Sequence, residues 1–122
     1  MIEIKFKEGQ AIIELGGGSN PQFRPNCDVR TCFNKQGEKV TDFEADFEEP
    51  LPIQSEEWDC VFCQYVIEHL SWRKVRGFLK EVLRILKPGG RAIFVTANTQ
   101  AQISFMYENK DGWDGKDDFD SY

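Results

Sequence analysis

Three acids in the first half of the chain each fall in a short apolar or alternating segment. They are Glu14 in AIIEL (Ala11 to Leu15), Asp28 in PNCDVRTC (Pro25 to Cys32) and Asp46 in KVTDFEADF (Lys39 to Phe47). Glu14 is followed almost at once by Gly16, Gly17 and Gly18, then by Ser-Asn-Pro. A strand that runs into consecutive glycines brings bare backbone close to a neighbour, which is a phosphate, a nucleoside or only the loop's own surroundings. The dinucleotide fingerprint spaces its glycines as G-x-G-x-x-G, opens a long helix at the turn and places an acid about 20 residues further on. In this chain Pro21 takes the place of a third spaced glycine, and Asp28 comes only ten residues after Gly18. Pro21 and Pro25 leave no room for a helix that would grip a pyrophosphate. No Gly-Lys-Ser/Thr follows, so the triphosphate loop is absent as well.

Carboxylates at the carboxyl ends of neighbouring strands suit a ligand with hydroxyls, amine donors and a positive centre. S-adenosylmethionine carries all three. The other chemistry-bearing residues point less sharply. Cys27, Cys32, Cys60 and Cys63 have Cys-x₄-Cys and Cys-x₂-Cys spacings that invite a zinc reading. The second pair lies in WDCVFC, which reads as a strand, and side chains three apart on a strand point to opposite faces. Reduced, buried thiols are therefore expected, with no metal. The only histidine, His69 in IEHL, is either a proton acceptor or a residue that binds backbone or Glu68 and lines the substrate. The Asp- and Gly-rich end, NKDGWDGKDDFDSY (Asn109 to Tyr122), fails as a calcium loop, because alignment on Gly112 or Gly115 puts Tyr107 or Lys110 at the first ligand position.

The elements that must position these groups follow from periodicity. AIIEL reads as a buried strand closed by glycines. A weaker strand centres on Cys27, Asp28 and Val29. KVTDFEADF alternates, which predicts a strand with Val40, Asp42, Glu44 and Asp46 on one face. WDCVFCQYVI (Trp58 to Ile67) is the second strong apolar run. A helix follows, with Ser71 as its N-cap and Val75, Phe78, Leu79, Val82, Leu83 and Leu86 on the buried face. Lys87-Pro88-Gly89-Gly90 stops it. RAIFVTAN (Arg91 to Asn98) is another strand, so strand, helix and strand make a parallel crossover. After Thr99 the pattern fades into a surface segment, which divides the chain into a domain over 1–98 and a tail over 99–122.

The 122 residues suffice for one small domain, and 40% apolar with 30% charged residues fits a folded chain. No apolar run approaches a membrane span and no signal segment opens the chain, which reads as cytoplasmic. A net charge of −6 argues against non-specific nucleic-acid binding and against no cationic small ligand.

The ordered set ELGGGSNP, CDVR, EADFEEPLPIQSEEWDCVFCQYVIEHL and FLKEVLRILKPGGRAIFVTAN resembles class I S-adenosylmethionine-dependent methyltransferases, over about residues 10 to 98. It is most similar to a subgroup with a Gly-Ser-Asn-Pro turn and a short link to the second strand. The resemblance implies a Rossmann-like α/β sandwich with a mostly parallel sheet of about five strands, and methyl transfer to an unidentified acceptor, whether small molecule, glycan, lipid or protein. The alternative is a non-catalytic or partner-dependent cofactor-binding module. It implies that Gly16, Gly17 and Gly18 approach the methionine part of the cofactor. Glu14 would orient that turn or accept from the amino group. Asp28 would hold the ribose hydroxyls, Asp46 would accept from the adenine amino group and Phe47 would wall it. Cys63, Gln64 and Tyr65 would border the methionine end and the substrate. The Asn-Pro-Pro-Tyr signature of amide and adenine amino methylation is replaced by CQYV. The resemblance also implies truncation after the fifth strand, without the usual C-terminal hairpin. The fifth strand would then be an open edge for a second copy or a partner chain to cover.

Overall fold

The structure, a computed structural model, describes residues 9–95 and the backbone of a strand at Gln102–Met106. Its strands are β1 (Ile12–Leu15), β2 (Asn26–Asp28), β3 (Phe43–Glu44), β4 (Trp58–Gln64), β5 (Leu86–Val95) and β6 (Gln102–Met106). A short 3₁₀ turn, Ile67–His69, and one helix, α1 (Val75–Ile85), lie between β4 and β5. The sheet order is β3-β2-β1-β4-β5-β6. The first five strands are parallel, and β6 runs antiparallel to β5. This is a Rossmann-like α/β arrangement in which chain order reverses between β1 and β4.

Period-two alternation sorts the strand residues. Ile13, Leu15, Val61, Cys63, Ala92 and Phe94 face α1, which answers with Phe78, Leu79, Val82 and Leu83, all buried. An 11-residue helix is marginal alone, so this apolar stripe holds it, each such side chain contributing about 1.5–3 kcal/mol on burial. On the opposite face Cys60, Phe62 and Ile93 pack together, with Phe23 meeting Phe62 edge-on at 5.3 Å. Cys60 and Cys63 thus lie on opposite faces, as their spacing requires.

Several local expectations are corrected. β2 begins at Asn26 and leaves out Val29, which is exposed. Only Phe43 and Glu44 of the 39–47 segment form a strand, because it is the sheet's edge and pairs with the three residues of β2 alone. Val40 is buried while Asp42, Glu44 and Asp46 are exposed, so they do not share one face. Ser71 is not the N-cap: its N–H is held by Glu48, and the helix starts at Val75 without a side-chain cap. Leu86 is buried but belongs to β5, where Trp58 pairs with Leu86 and Cys60 with Arg91. Lys87 to Gly90 are accommodated as an irregularity inside the strand rather than a separate turn. Gly89, at φ +81°, supplies the left-handed step there. The free edge expected at β5 is paired: Arg91 to Val95 register against Met106 to Gln102. A further strand therefore lies beyond Asn98, at Gln102–Met106. The rest of the proposed tail lies outside the described residues.

Candidate functional site

A cavity of about 490 Å³ opens beyond the carboxyl ends of β1 to β4. In an open α/β sheet this is where ligands bind, because the chain leaves the sheet there in loops on both sides of the order reversal. Its walls come from four segments. Gly16 and Gly18 follow β1; Asp28, Val29 and Arg30 end and follow β2. Asp46, Phe47 and Glu48 follow β3, and Tyr65, Val66, His69 and Leu70 follow β4. Three carboxylates against one guanidinium and one imidazole leave the wall net acidic.

The link from β1 to β2 contains no helix. Its path is set by β2. Gly16 N–H donates to the Cys27 carbonyl at 2.7 Å, Gly17 N–H to Asn26 Oδ1 at 3.0 Å and Gly18 N–H to Asp28 Oδ2 at 2.7 Å. All three glycine N–H groups are thereby bonded within the protein. A phosphate cradle needs such donors free and converging on the anion, so this turn is not one.

Glu14 is fully buried in β1, beneath the turn. Its Oε1 accepts from the N–H groups of Gln22 at 2.7 Å and Phe23 at 2.9 Å, and its Oε2 from Gln64 Nε2 at 3.0 Å. Burial raises its pKa above the ordinary carboxylate value, and these three donors oppose that rise. The carboxylate faces the loop from Gln22 to Phe23, and its partners are all the protein's own.

Asp28 is 7% exposed, with Oδ2 bonded to Gly18 N–H and Oδ1 to Val29 N–H at 2.7 Å. Each oxygen accepts one bond and keeps capacity for another, which is the geometry for a ligand with two hydroxyls. Asp46 lies two residues beyond β3; its Oδ1 accepts from Glu48 N–H at 2.9 Å. Phe47 is buried against Phe78 and turns its surroundings apolar. Tyr65 adopts φ +55°, a left-handed conformation that is uncommon for a bulky side chain and is found at binding sites. Its N–H is fixed by the Val95 carbonyl at 2.8 Å, while the residue stays half exposed.

Of the residues singled out from the sequence, Gly16, Gly18, Asp28, Asp46, Phe47, Tyr65 and His69 come together on the cavity wall. Glu14, Gly17, Cys63 and Gln64 do not line it. Gly17 is packed from below, since a Cβ there would lie 2.6 Å from Glu14 Oε2 and 2.8 Å from Asn26 Oδ1. Cys63 is buried in the core facing α1, and its thiol is pushed well above its ordinary pKa, mainly by burial. Val29, Arg30, Glu48, Val66 and Leu70 line the cavity and were not singled out; their signal was position, one or two residues beyond a residue that was. Asn26 was also missed, although it stands two before Asp28 and so shares its face of β2.

The donor set fits S-adenosylmethionine. Gly18, at φ +63°, has open space where a Cβ would stand, so backbone and cavity meet there directly. Two carboxylates with spare acceptor capacity, an apolar wall and no cradle for phosphate complete the match.

A family profile described as a methyltransferase domain matches residues 21–94, more than half the chain. The match begins just past the glycine turn. No curated protein matches the sequence. Among solved structures, a putative methyltransferase from Haloferax volcanii in complex with the Trm112 activator is 22% identical with a TM-score of 0.56. It aligns over 75% of this chain and 46% of its own. A possible histamine N-methyltransferase from Thermotoga maritima is 21% identical with a TM-score of 0.55, over 72% and 44%. A phosphoethanolamine N-methyltransferase from Haemonchus contortus, with phosphoethanolamine and S-adenosylhomocysteine bound, is 18% identical with a TM-score of 0.55, over 74% and 22%. At these identities the likeness is one of fold, and the chain spans less than half the length of these three proteins.

Proposed function

We propose that this chain, which belongs to the methyltransferase-domain family, binds S-adenosylmethionine in its cavity and presents it to a methyl acceptor. The observation that carries the reading is the spent glycine turn beside Asp28: its N–H groups are bonded to β2, so the site offers carboxylates and backbone, not a phosphate grip. Asp28 holds the ribose hydroxyls, and Asp46 with Phe47 receives the adenine. Gly16 and Gly18 admit the methionine part, while Glu14 and Gly17 act from beneath by shaping the turn. Gln64 holds Glu14, and Cys63 supports the end of β4 from the core.

When bound, the cofactor supplies a methyl group on a sulfonium. The protein's task is then to orient, to exclude water and to place charge. The acidic wall favours a positive ligand. Tyr65, held in its unusual backbone conformation, borders the acceptor side. His69 is exposed at the end of the 3₁₀ turn, and its ring is the candidate to take a proton from an oxygen or nitrogen acceptor. The acceptor itself is a small molecule, glycan, lipid or protein.

Titration calorimetry with S-adenosylhomocysteine, with NAD as the contrast, tests the cofactor reading. Asp28→Ala should weaken binding by about 1–3 kcal/mol, the cost of losing a charged hydrogen-bond partner. Unchanged affinity would remove Asp28 from the site, and preference for NAD would overturn the reading. Because one of the similar structures is paired with an activator, a partner-dependent binding module is the second reading. Transfer of labelled methyl to cell extract by the chain alone would exclude it.

A further inference from the structure

We propose that Asn26 is a positioning residue for the cofactor site, holding the glycine turn in register with Asp28 without touching the ligand. Asn26 is fully buried in β2. Its carboxamide works in both senses: Oδ1 accepts from Gly17 N–H at 3.0 Å, and Nδ2 donates to the Val40 carbonyl at 3.1 Å and toward the Gly18 carbonyl at 3.4 Å. The partners fix the orientation of the amide, since an N–H can face only the oxygen and a carbonyl only the nitrogen. Asn26 thus contacts the turn on two successive residues and ties it to the segment that leads into β3.

Geometry makes this more than a core hydrogen bond. β1 ends at Leu15, yet its neighbour β2 goes on bonding the chain: first through the Cys27 carbonyl, then through the side chains of Asn26 and Asp28. Those two side chains, two apart on one face, seize consecutive N–H groups. Gly18 is therefore located by Asn26 on one side and by Asp28 on the other, and Gly18 forms the cavity wall. Shifting the turn moves the carboxylate of Asp28 with it. An aspartate at 26 would keep the shape and the bond to Gly17 but would set an acceptor against the carbonyls of Val40 and Gly18. A second carboxylate would also stand beside Glu14, with which Asn26 pairs in register.

Because this role presupposes that the cavity is the cofactor site, two readouts on the whole chain are kept apart. Amide hydrogen exchange of Gly17 and Gly18 reports the turn, and calorimetry with S-adenosylhomocysteine reports the site. Asn26→Ala should speed Gly17 exchange by about tenfold or more, the scale of one lost hydrogen bond, while Val61 and Phe62 in β4 keep their protection; Asn26→Asp, which keeps the Gly17 acceptor but sets a carboxylate against the Val40 and Gly18 carbonyls, should speed it less. Affinity should fall by the corresponding factor in each variant, and Asn26→Ser, which keeps a donor and an acceptor, should recover part of it. Exchange that is unchanged, or that rises equally in β4, overturns the proposal, as does full affinity in Asn26→Asp. A wild-type chain that binds no S-adenosylhomocysteine overturns the cofactor reading and the functional half of this one, and exchange alone then decides whether Asn26 holds the turn.

Discussion

Alanine at Gly17 and alanine at Gly18 should have opposite consequences, though the two are neighbours of equal composition. A Cβ on Gly17 would stand 2.6 Å from Glu14 Oε2, 2.7 Å from Pro21 Cβ and 2.8 Å from Asn26 Oδ1. Ordinary contact is about 3.5–4.0 Å, so each neighbour must retreat by about 1 Å. Glu14 and Asn26 are fully buried and bonded, and they have nowhere to retreat without losing partners. Overpacking of about 1–3 kcal/mol, plus one buried donor left unpaired at about 1–3 kcal/mol, gives a loss of about 2–6 kcal/mol. For a domain of this size that lowers Tm by about 10–25 °C. Gly18 has nothing within 4 Å of a Cβ, and only its φ of +63° resists substitution. That costs about 1–2 kcal/mol, but the new methyl group stands at the cavity wall. Thermal unfolding followed by circular dichroism, with and without S-adenosylhomocysteine, separates the two. Gly17→Ala should melt far lower, whereas Gly18→Ala should melt only about 4–8 °C below wild type and gain little from ligand. Equal melting temperatures, or a Gly18→Ala chain stabilised by ligand as wild type is, would refute the account of the turn.

Two further outcomes follow from the thiols and the imidazole. Burial raises the pKa of Cys27 from 9.0 to about 12, so its thiol favours folding below pH 9, and this contribution is lost as pH climbs from 9 toward 12. Urea unfolding under reducing conditions should show a loss of about 1.4 kcal/mol per pH unit from this group alone between pH 9 and 11. Cys60 and Cys63 are raised in the same direction, and a flat profile over that range would contradict the burial of all three. His69→Gln should leave S-adenosylhomocysteine affinity unchanged while lowering the rate of labelled-methyl transfer to an oxygen or nitrogen acceptor by about a hundredfold. Affinity falling along with the rate would make His69 a cofactor contact rather than a proton acceptor.

The sequence alone determined the class of fold. Apolar runs of strand length, one stripe at helical spacing and a proline-broken link after the glycines leave few ways to bury the core, and the parallel Rossmann-like sheet is one of them. It also marked Asp28 and Gly18, since an acid closing a strand and a glycine opening a turn are local features. Tertiary structure decided what local pattern cannot carry. Glu14 and Asp28 look equivalent as acids in strands, yet one is bonded beneath the turn and the other faces the cavity. That difference depends on how far each residue lies from the end of its strand and on what packs over it. β3 shrank to two residues because an edge strand lasts only as long as its neighbour. β5 gained a partner from a stretch with no clear period, because antiparallel pairing uses backbone groups that every residue has. Asn26 became visible only when two strands met, since a side chain that continues a backbone ladder has no signature along its own chain.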